Sequence, residues 1–193
     1  EIPHSVTYIG KCAFEKCSTL SQISISNSIV EIYKKTFANC SSLSEINIPK
    51  SVTSIGENVF EGCSSLARIT IPSSVTSIGF FSFNYCISLK EITIPSSLTH
   101  FSSYSFQQCF SLQSITFENP SSLTSINSHF CEECSSLISI TIPSSITCIS
   151  IKAFGKCTSL KQVSFEKPSS LKLIDEHAFK DCSSLAQISI PFT

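Results

Sequence analysis

A repeat of 23 residues runs through this chain from end to end. Ile71-Pro72-Ser73-Ser74-Val75-Thr76-Ser77-Ile78-Gly79 opens one copy, Phe83, Cys86, Leu89 and Ile92 complete it, and Ile94-Pro95-Ser96-Ser97 opens the next. A fixed period this short confines the chain to a solenoid, in which each unit packs mainly on its two neighbours. Eight copies fit, opening at Ile2, Ile25, Ile48, Ile71, Ile94, Phe117, Ile142 and Phe165. The unbroken repeat predicts one elongated array over residues 1–193. The chain has no Met, opens inside a unit at Glu1-Ile2-Pro3 and closes inside one at Ile190-Pro191-Phe192-Thr193, so it reads as a piece of a longer array. Open end rungs would expose core and favour self-association.

Each column of the repeat carries its own physical signal. Leu-x-x-Ile-x-Ile, as in Leu20-Ser21-Gln22-Ile23-Ser24-Ile25, alternates apolar and polar residues with the period of a strand. Proline then stops the strand, and all eight prolines share that column: Pro3, Pro49, Pro72, Pro95, Pro120, Pro143, Pro168 and Pro191. A serine two places on recurs in every copy, and its hydroxyl suits turn closure. Val52-Thr53-Ser54-Ile55-Gly56 begins a second, shorter strand. Its last column holds Gly10, Gly56 and Gly79, replaced elsewhere by Asn127 and Asp175, which predicts left-handed backbone in a tight turn. A small residue and Phe follow, as in Ala13-Phe14 and Ala178-Phe179, and the rings would stack into a spine.

Copies six and eight carry two extra residues at one place, Phe117-Glu118-Asn119-Pro120-Ser121-Ser122 and Phe165-Glu166-Lys167-Pro168-Ser169-Ser170. Insertions of this kind map to loops on one edge, and the Phe that replaces Ile there would fill the space beneath. Stacked at strand spacing, eight rungs span about 35–40 Å. The predicted fold is a β-rich solenoid with a parallel sheet on one face and short strands and turns on the other.

Hydrophobic residues make up 41% of the chain, charged residues 14%, and the net charge is -1. No field of that size gathers nucleic acid or an anionic membrane. No apolar run approaches the roughly 20 residues of a membrane-crossing helix. Eleven cysteines raise the question of disulfides or metal. Eight share one column, Cys17, Cys40, Cys63, Cys86, Cys109, Cys134, Cys157 and Cys182, which predicts a ladder of buried free thiols. Cys131-Glu132-Glu133-Cys134, with His129 close by, has the outline of a metal or redox pair but lacks two further ligands. Column phase explains it otherwise: Cys131 stands in the Phe column and Phe130 in the small one, so copy six swaps large and small. Cys12 and Cys148 lie off the ladder, and Cys12 is expected to be exposed and the most reactive thiol. Asn39-Cys40-Ser41 is a glycosylation sequon by pattern, though Cys40 belongs to the core. The four histidines fall in four different columns, and no acid, base and nucleophile converge, so neither catalytic residues nor a cofactor or metal are assigned.

Together, Leu-x-x-Ile-x-Ile-Pro-x-Ser-Val-x-x-Ile-Gly-x-x-Ala-Phe-x-x-Cys resembles the BspA-like class of leucine-rich repeats, over the whole chain. Ordinary leucine-rich repeats place Asn in the turn after the strand; here Pro-x-Ser stands in its stead. The resemblance implies a right-handed superhelix without catalytic residues. It also implies a cell-surface or secreted adhesin that contacts host matrix proteins or other cells. An intracellular scaffold for protein–protein interaction is the alternative, and a signal or anchor in the parent chain would separate the two.

Two surfaces could meet a partner. The outward strand columns are polar, and on them only Arg68 is a favoured hot-spot type. Copies four and five carry Phe80, Phe81, Tyr85, Tyr104 and Phe110 in columns that are polar elsewhere, with Phe81 and Tyr104 in one column and so expected to stack. These five aromatics and Arg68 are the candidate partner-binding residues.

Overall fold

The computed structural model describes residues 2–190, so Pro191, the eighth proline of its column, lies outside them. In chain order the strands are β1 (Gln22–Ser24), β2 (Glu31–Ile32), β3 (Glu45–Asn47), β4 (Ser54–Ile55), β5 (Arg68–Thr70), β6 (Ser77–Ile78), β7 (Glu91–Ile94) and β8 (His100–Phe101). They continue with β9 (Ser114–Phe117), β10 (Ser125–Ile126), β11 (Ser139–Ile142), β12 (Cys148–Ile149), β13 (Gln162–Phe165), β14 (Leu173–Ile174) and β15 (Gln187–Ile188). Odd-numbered strands lie along one side of the solenoid and even-numbered strands along a second, and all the pairing is parallel. The third side is built of turns. No helix occurs among the described residues, so none is long and apolar enough to cross a membrane.

Register follows the repeat. Ile23 pairs with Ile46 and Ile46 with Ile69, while Ile94 pairs with Phe117 and Ile142 with Phe165. Equivalent inward residues therefore stack on one another, and the polar residues between them face out. Pairing on the odd side is interrupted between β5 and β7 and between β9 and β11.

The proline turns work differently from the sequence expectation. The amide of Val52 donates to the Pro49 carbonyl at 3.0 Å, and Val75 to Pro72 likewise, so the backbone closes the turn. The serine hydroxyls bond between rungs instead: Ser51 donates to the Ile29 carbonyl and Ser74 to Val52, both at 2.6 Å. In the two longer turns Phe117 and Phe165 pack against the core as expected. Glu118 and Glu166 then accept the amides of Ser96 and Ser144, each at 3.0 Å.

The core is a spine of rings. Phe14, Phe37, Phe60, Phe83 and Phe106 stack at centroid spacings of 5.5, 5.9, 5.5 and 5.3 Å, with planes within 18° of parallel. In copy six the swap is real. Phe130 enters from the small column, lies edge-on to Phe106 at 5.3 Å and 88°, and meets Phe154 at 6.3 Å, while Cys131 fills the space beside it. Both arrangements are favourable for aromatic pairs.

Candidate recognition surface

The turn side is organised by backbone conformation. Cys12, Lys35, Asn58, Phe81, Tyr104, His129, Lys152 and His177 share one column and all have φ between 52° and 62°. Four places on, Lys16, Asn39, Gly62, Tyr85, Gln108, Glu133, Lys156 and Asp181 share a second, with φ between 57° and 68°. Every positive φ in the described chain falls in these two columns. Gly10, Gly56 and Gly79 do not, which corrects the sequence expectation for that column. Gly79 answers a close approach instead: a Cβ there would stand 2.7 Å from the Glu57 amide nitrogen of the rung below.

Left-handed residues let the amides alternate in role. Those of Lys35, Phe37 and Asn39 donate up to the carbonyls of Glu57, Val59 and Glu61, at 2.6–3.1 Å. Those of Thr36, Ala38 and Cys40 fold back to Tyr33, Lys35 and Phe37, at 3.2 Å. The turn side thus satisfies its backbone as fully as a sheet would. Each left-handed residue costs an ordinary side chain about 1–2 kcal/mol, distributed along the whole array.

These columns carry the aromatics. Phe81 and Tyr104 stack at 4.6 Å and 15°, as expected. The ladder then continues into His129, which stacks on Tyr104 at 4.3 Å and 11°. Sequence reading did not assign His129 to the surface, although it occupies the Phe81 column one longer copy after Tyr104. Its ring is pinned from behind: Nδ1 lies 2.7 Å from Glu132 Oε2, and the Gln107 amide donates to the same oxygen at 2.8 Å. Lys152 Nζ faces the other carboxylate oxygen at 3.7 Å. Phe80, Tyr85 and Phe110 are exposed by 46%, 45% and 41%, and Ile87, also missed, by 38%. Ile87 and Phe110 share a column, so the exposed apolar surface runs across copies four and five.

Arg68 is not part of that surface. It projects from β5 on the odd-strand side, beside Thr70, Glu91, Thr93, Thr116 and Glu118, over a shallow depression of about 250 Å³. The two candidate groups lie on different sides of each rung.

The cysteines are settled by geometry. All eleven are free. Cys40, Cys63, Cys86, Cys109, Cys134 and Cys157 are buried, whereas Cys17 is exposed and Cys182 half-buried, because they belong to the outermost copies. Each thiol of the ladder column from Cys40 to Cys182 donates to a carbonyl one rung below, as Cys63 does to Phe37 at 3.2 Å and Cys109 to Phe83 at 3.1 Å. Burial pushes Cys40 up to about 11, Cys63 to about 12, and Cys86, Cys109 and Cys134 well above the ordinary value. Cys131 and Cys134 both lie in the core, and His129 turns to Glu132 rather than to them. Cys12 is exposed as expected, but partial desolvation and the adjoining Glu15 carboxylate raise its pKa, which lowers its reactivity.

Fold and surface together define a leucine-rich repeat solenoid, a scaffold of a kind that typically binds proteins and is non-catalytic. A family model for the BspA type leucine rich repeat region matches residues 1–113 and 99–193, in six copies, and the chain belongs to that family. It is similar to the leucine-rich repeat protein of T. pallidum, with 28% identity and a TM-score of 0.77, covering 86% of this chain and 78% of that one. It is also similar to a leucine rich cell surface protein of Faecalibacterium prausnitzii, with 31% identity and a TM-score of 0.76 over 86% of this chain. There it spans only 46% of the other protein's length. The pneumococcal vaccine antigen PcpA shares the fold at 21% identity and a TM-score of 0.58, over 90% of this chain and 49% of that one. No curated protein matches this chain.

Proposed function

We propose that this chain is a non-enzymatic recognition module of a cell-surface or secreted protein, binding host matrix or other cells through the turn side of copies four to six. The observation that carries this reading is a cluster of rings on the turn side: Phe80, Tyr85 and Phe110 are exposed, and beside them Phe81, Tyr104 and His129, half-buried, are prestacked. Contiguous exposed aromatics mark interaction sites, and rings already held in place lose little freedom on binding. The likeness to a leucine rich cell surface protein supports the location. The test is retention of the purified chain on immobilised extracellular matrix. Phe81→Ser with Tyr104→Ser should lower retention roughly tenfold or more, the size of a hot-spot loss, with the unfolding midpoint little changed. Arg68→Ala should leave retention unaltered. Full retention by the double variant would reject the reading.

A further inference from the structure

Charge on the turn side lies in bands around the aromatic centre. In the two left-handed columns, and in the column before each, copies four and five carry no charged residue. Copies three and six, on either side, carry Glu57 and Glu61, and Glu132 and Glu133. Copies two and seven, beyond them, carry Lys34 and Lys35, and Lys152 and Lys156. Lysines pair with carboxylates along the stack: Lys34 with Glu57 at 2.7 Å, Lys156 with Glu133 at 2.6 Å and Lys152 with Glu132 at 3.7 Å. Of the four carboxylates in copies three and six, Glu61 alone forms no ion pair among the described residues. It is half-buried and accepts the Asn58 side-chain amide at 2.8 Å.

Four copies away the same column holds a hollow. Gly155 stands where every other copy carries a side chain. The space left is about 40 Å³, lined by Glu132, Lys152, Lys156, Lys180 and Asp181, and has room for one small polar group. Three ammonium groups against two carboxylates make it net positive. Nothing in the fold requires glycine here. Gly155 is not left-handed, and a Cβ would meet nothing nearer than 3.5 Å.

We propose that the turn side docks on the turn side of a second copy of this chain, the two stacks antiparallel and the twofold axis crossing copy five. Copy three then faces copy seven, so Glu61 meets the Gly155 hollow and its lysines, twice by symmetry. Copy two faces copy eight, which sets Lys34 against Glu176. Phe81 faces His129, and Tyr104 and Phe110 face their own counterparts at the axis. Neighbouring registers fail on charge. A centre on copy four sets Lys16 against Lys156. A centre between copies four and five sets Lys35 against Lys152 and Glu61 against Glu132. A centre between copies five and six sets Glu57 against Glu176. Like charges brought together in this way exclude a register. The proposal rests on the turn side being the recognition surface and names the partner met on another cell as the same chain.

The test is sedimentation equilibrium of the purified chain over a range of concentrations, which should show a reversible monomer–dimer equilibrium. Glu61→Lys and Lys156→Glu should each weaken the dimer roughly tenfold or more. The unfolding midpoint should change little, since exposed ion pairs contribute little to stability. Mixed in equal amounts, the two variants should recover the dimer, because each reversed charge then meets its opposite. Gly155→Gln fills the hollow with the side chain that copy five carries in that column, and should weaken the dimer while the fold is kept. A chain that stays monomeric would overturn the proposal. So would a dimer that all three variants leave unchanged, as end-to-end stacking would give, or charge variants that fail to rescue each other. Matrix retention of the Phe81→Ser, Tyr104→Ser chain is scored separately, so self-docking can fail while the recognition surface stands.

Discussion

Each buried cysteine of the ladder column serves its rung twice, filling a small apolar space and giving its thiol proton to a carbonyl of the turn below. Such a thiol is inert while folded, because the reactive thiolate is disfavoured in the core. A thiol reagent should therefore modify the exposed Cys12 and Cys17 in the native chain, Cys12 more slowly than an ordinary exposed thiol, and leave the buried Cys40, Cys63, Cys86, Cys109, Cys131, Cys134 and Cys157 untouched. All eleven should titrate once the chain is unfolded without reductant, and a lower total would mean disulfides. The raised values also set a pH limit. Cys40 moves from 9.0 to about 11 and Cys63 to about 12. A folded value above the unfolded one stabilises fully below the unfolded value and is lost as pH rises through the folded one. The unfolding midpoint should fall between pH 9 and 12, and Cys63→Ala should make that fall shallower. The ladder was legible from sequence because every copy repeats the same apolar environment. The raised pKa of Cys12 was not, since it depends on partial desolvation in the turn and on the Glu15 carboxylate that the turn brings to the thiol.

At the scale of the element, the turn side and the ring spine show what a column pattern reveals and hides. Proline, Phe and Cys columns are read directly, because each residue type suits one environment only. The left-handed columns were invisible because Lys, Tyr, Gln and His occupy them as often as Asn or Gly. Stacked turns over-determine the backbone there, so residue preference is overridden. Copy six tests the spine. Phe130→Ala should cost about 3–5 kcal/mol, and Cys131→Phe alone should also destabilise, by overpacking beside Phe130. Combined, the two restore the pattern of the other copies and should recover most of the loss. Urea unfolding of the four chains gives the coupling, and simple additivity would mean that the two positions do not share one site.

Across the whole molecule, near-uniform rungs supply a rigid frame, and recognition falls where rungs differ. The solenoid, its parallel register and the two widened turns followed from the period. The aromatic patch followed from departures at Phe80, Phe81, Tyr85, Tyr104 and Phe110. Its extension to His129 and Ile87 did not, because neither residue type signals exposure or stacking until the rungs are laid on one another. Arg68 was grouped with the aromatics by hot-spot chemistry, yet the rung separates sheet from turn side. These two sides make opposite claims on a partner, and hydrogen exchange separates them. With the chain bound to matrix, added protection is expected at the upward-donating amides of Phe81, Phe83, Tyr85, Tyr104, Phe106 and Gln108, with β5, β7 and β9 unchanged. Added protection confined to those strands, with the turn amides unaffected, would contradict recognition by the turn side.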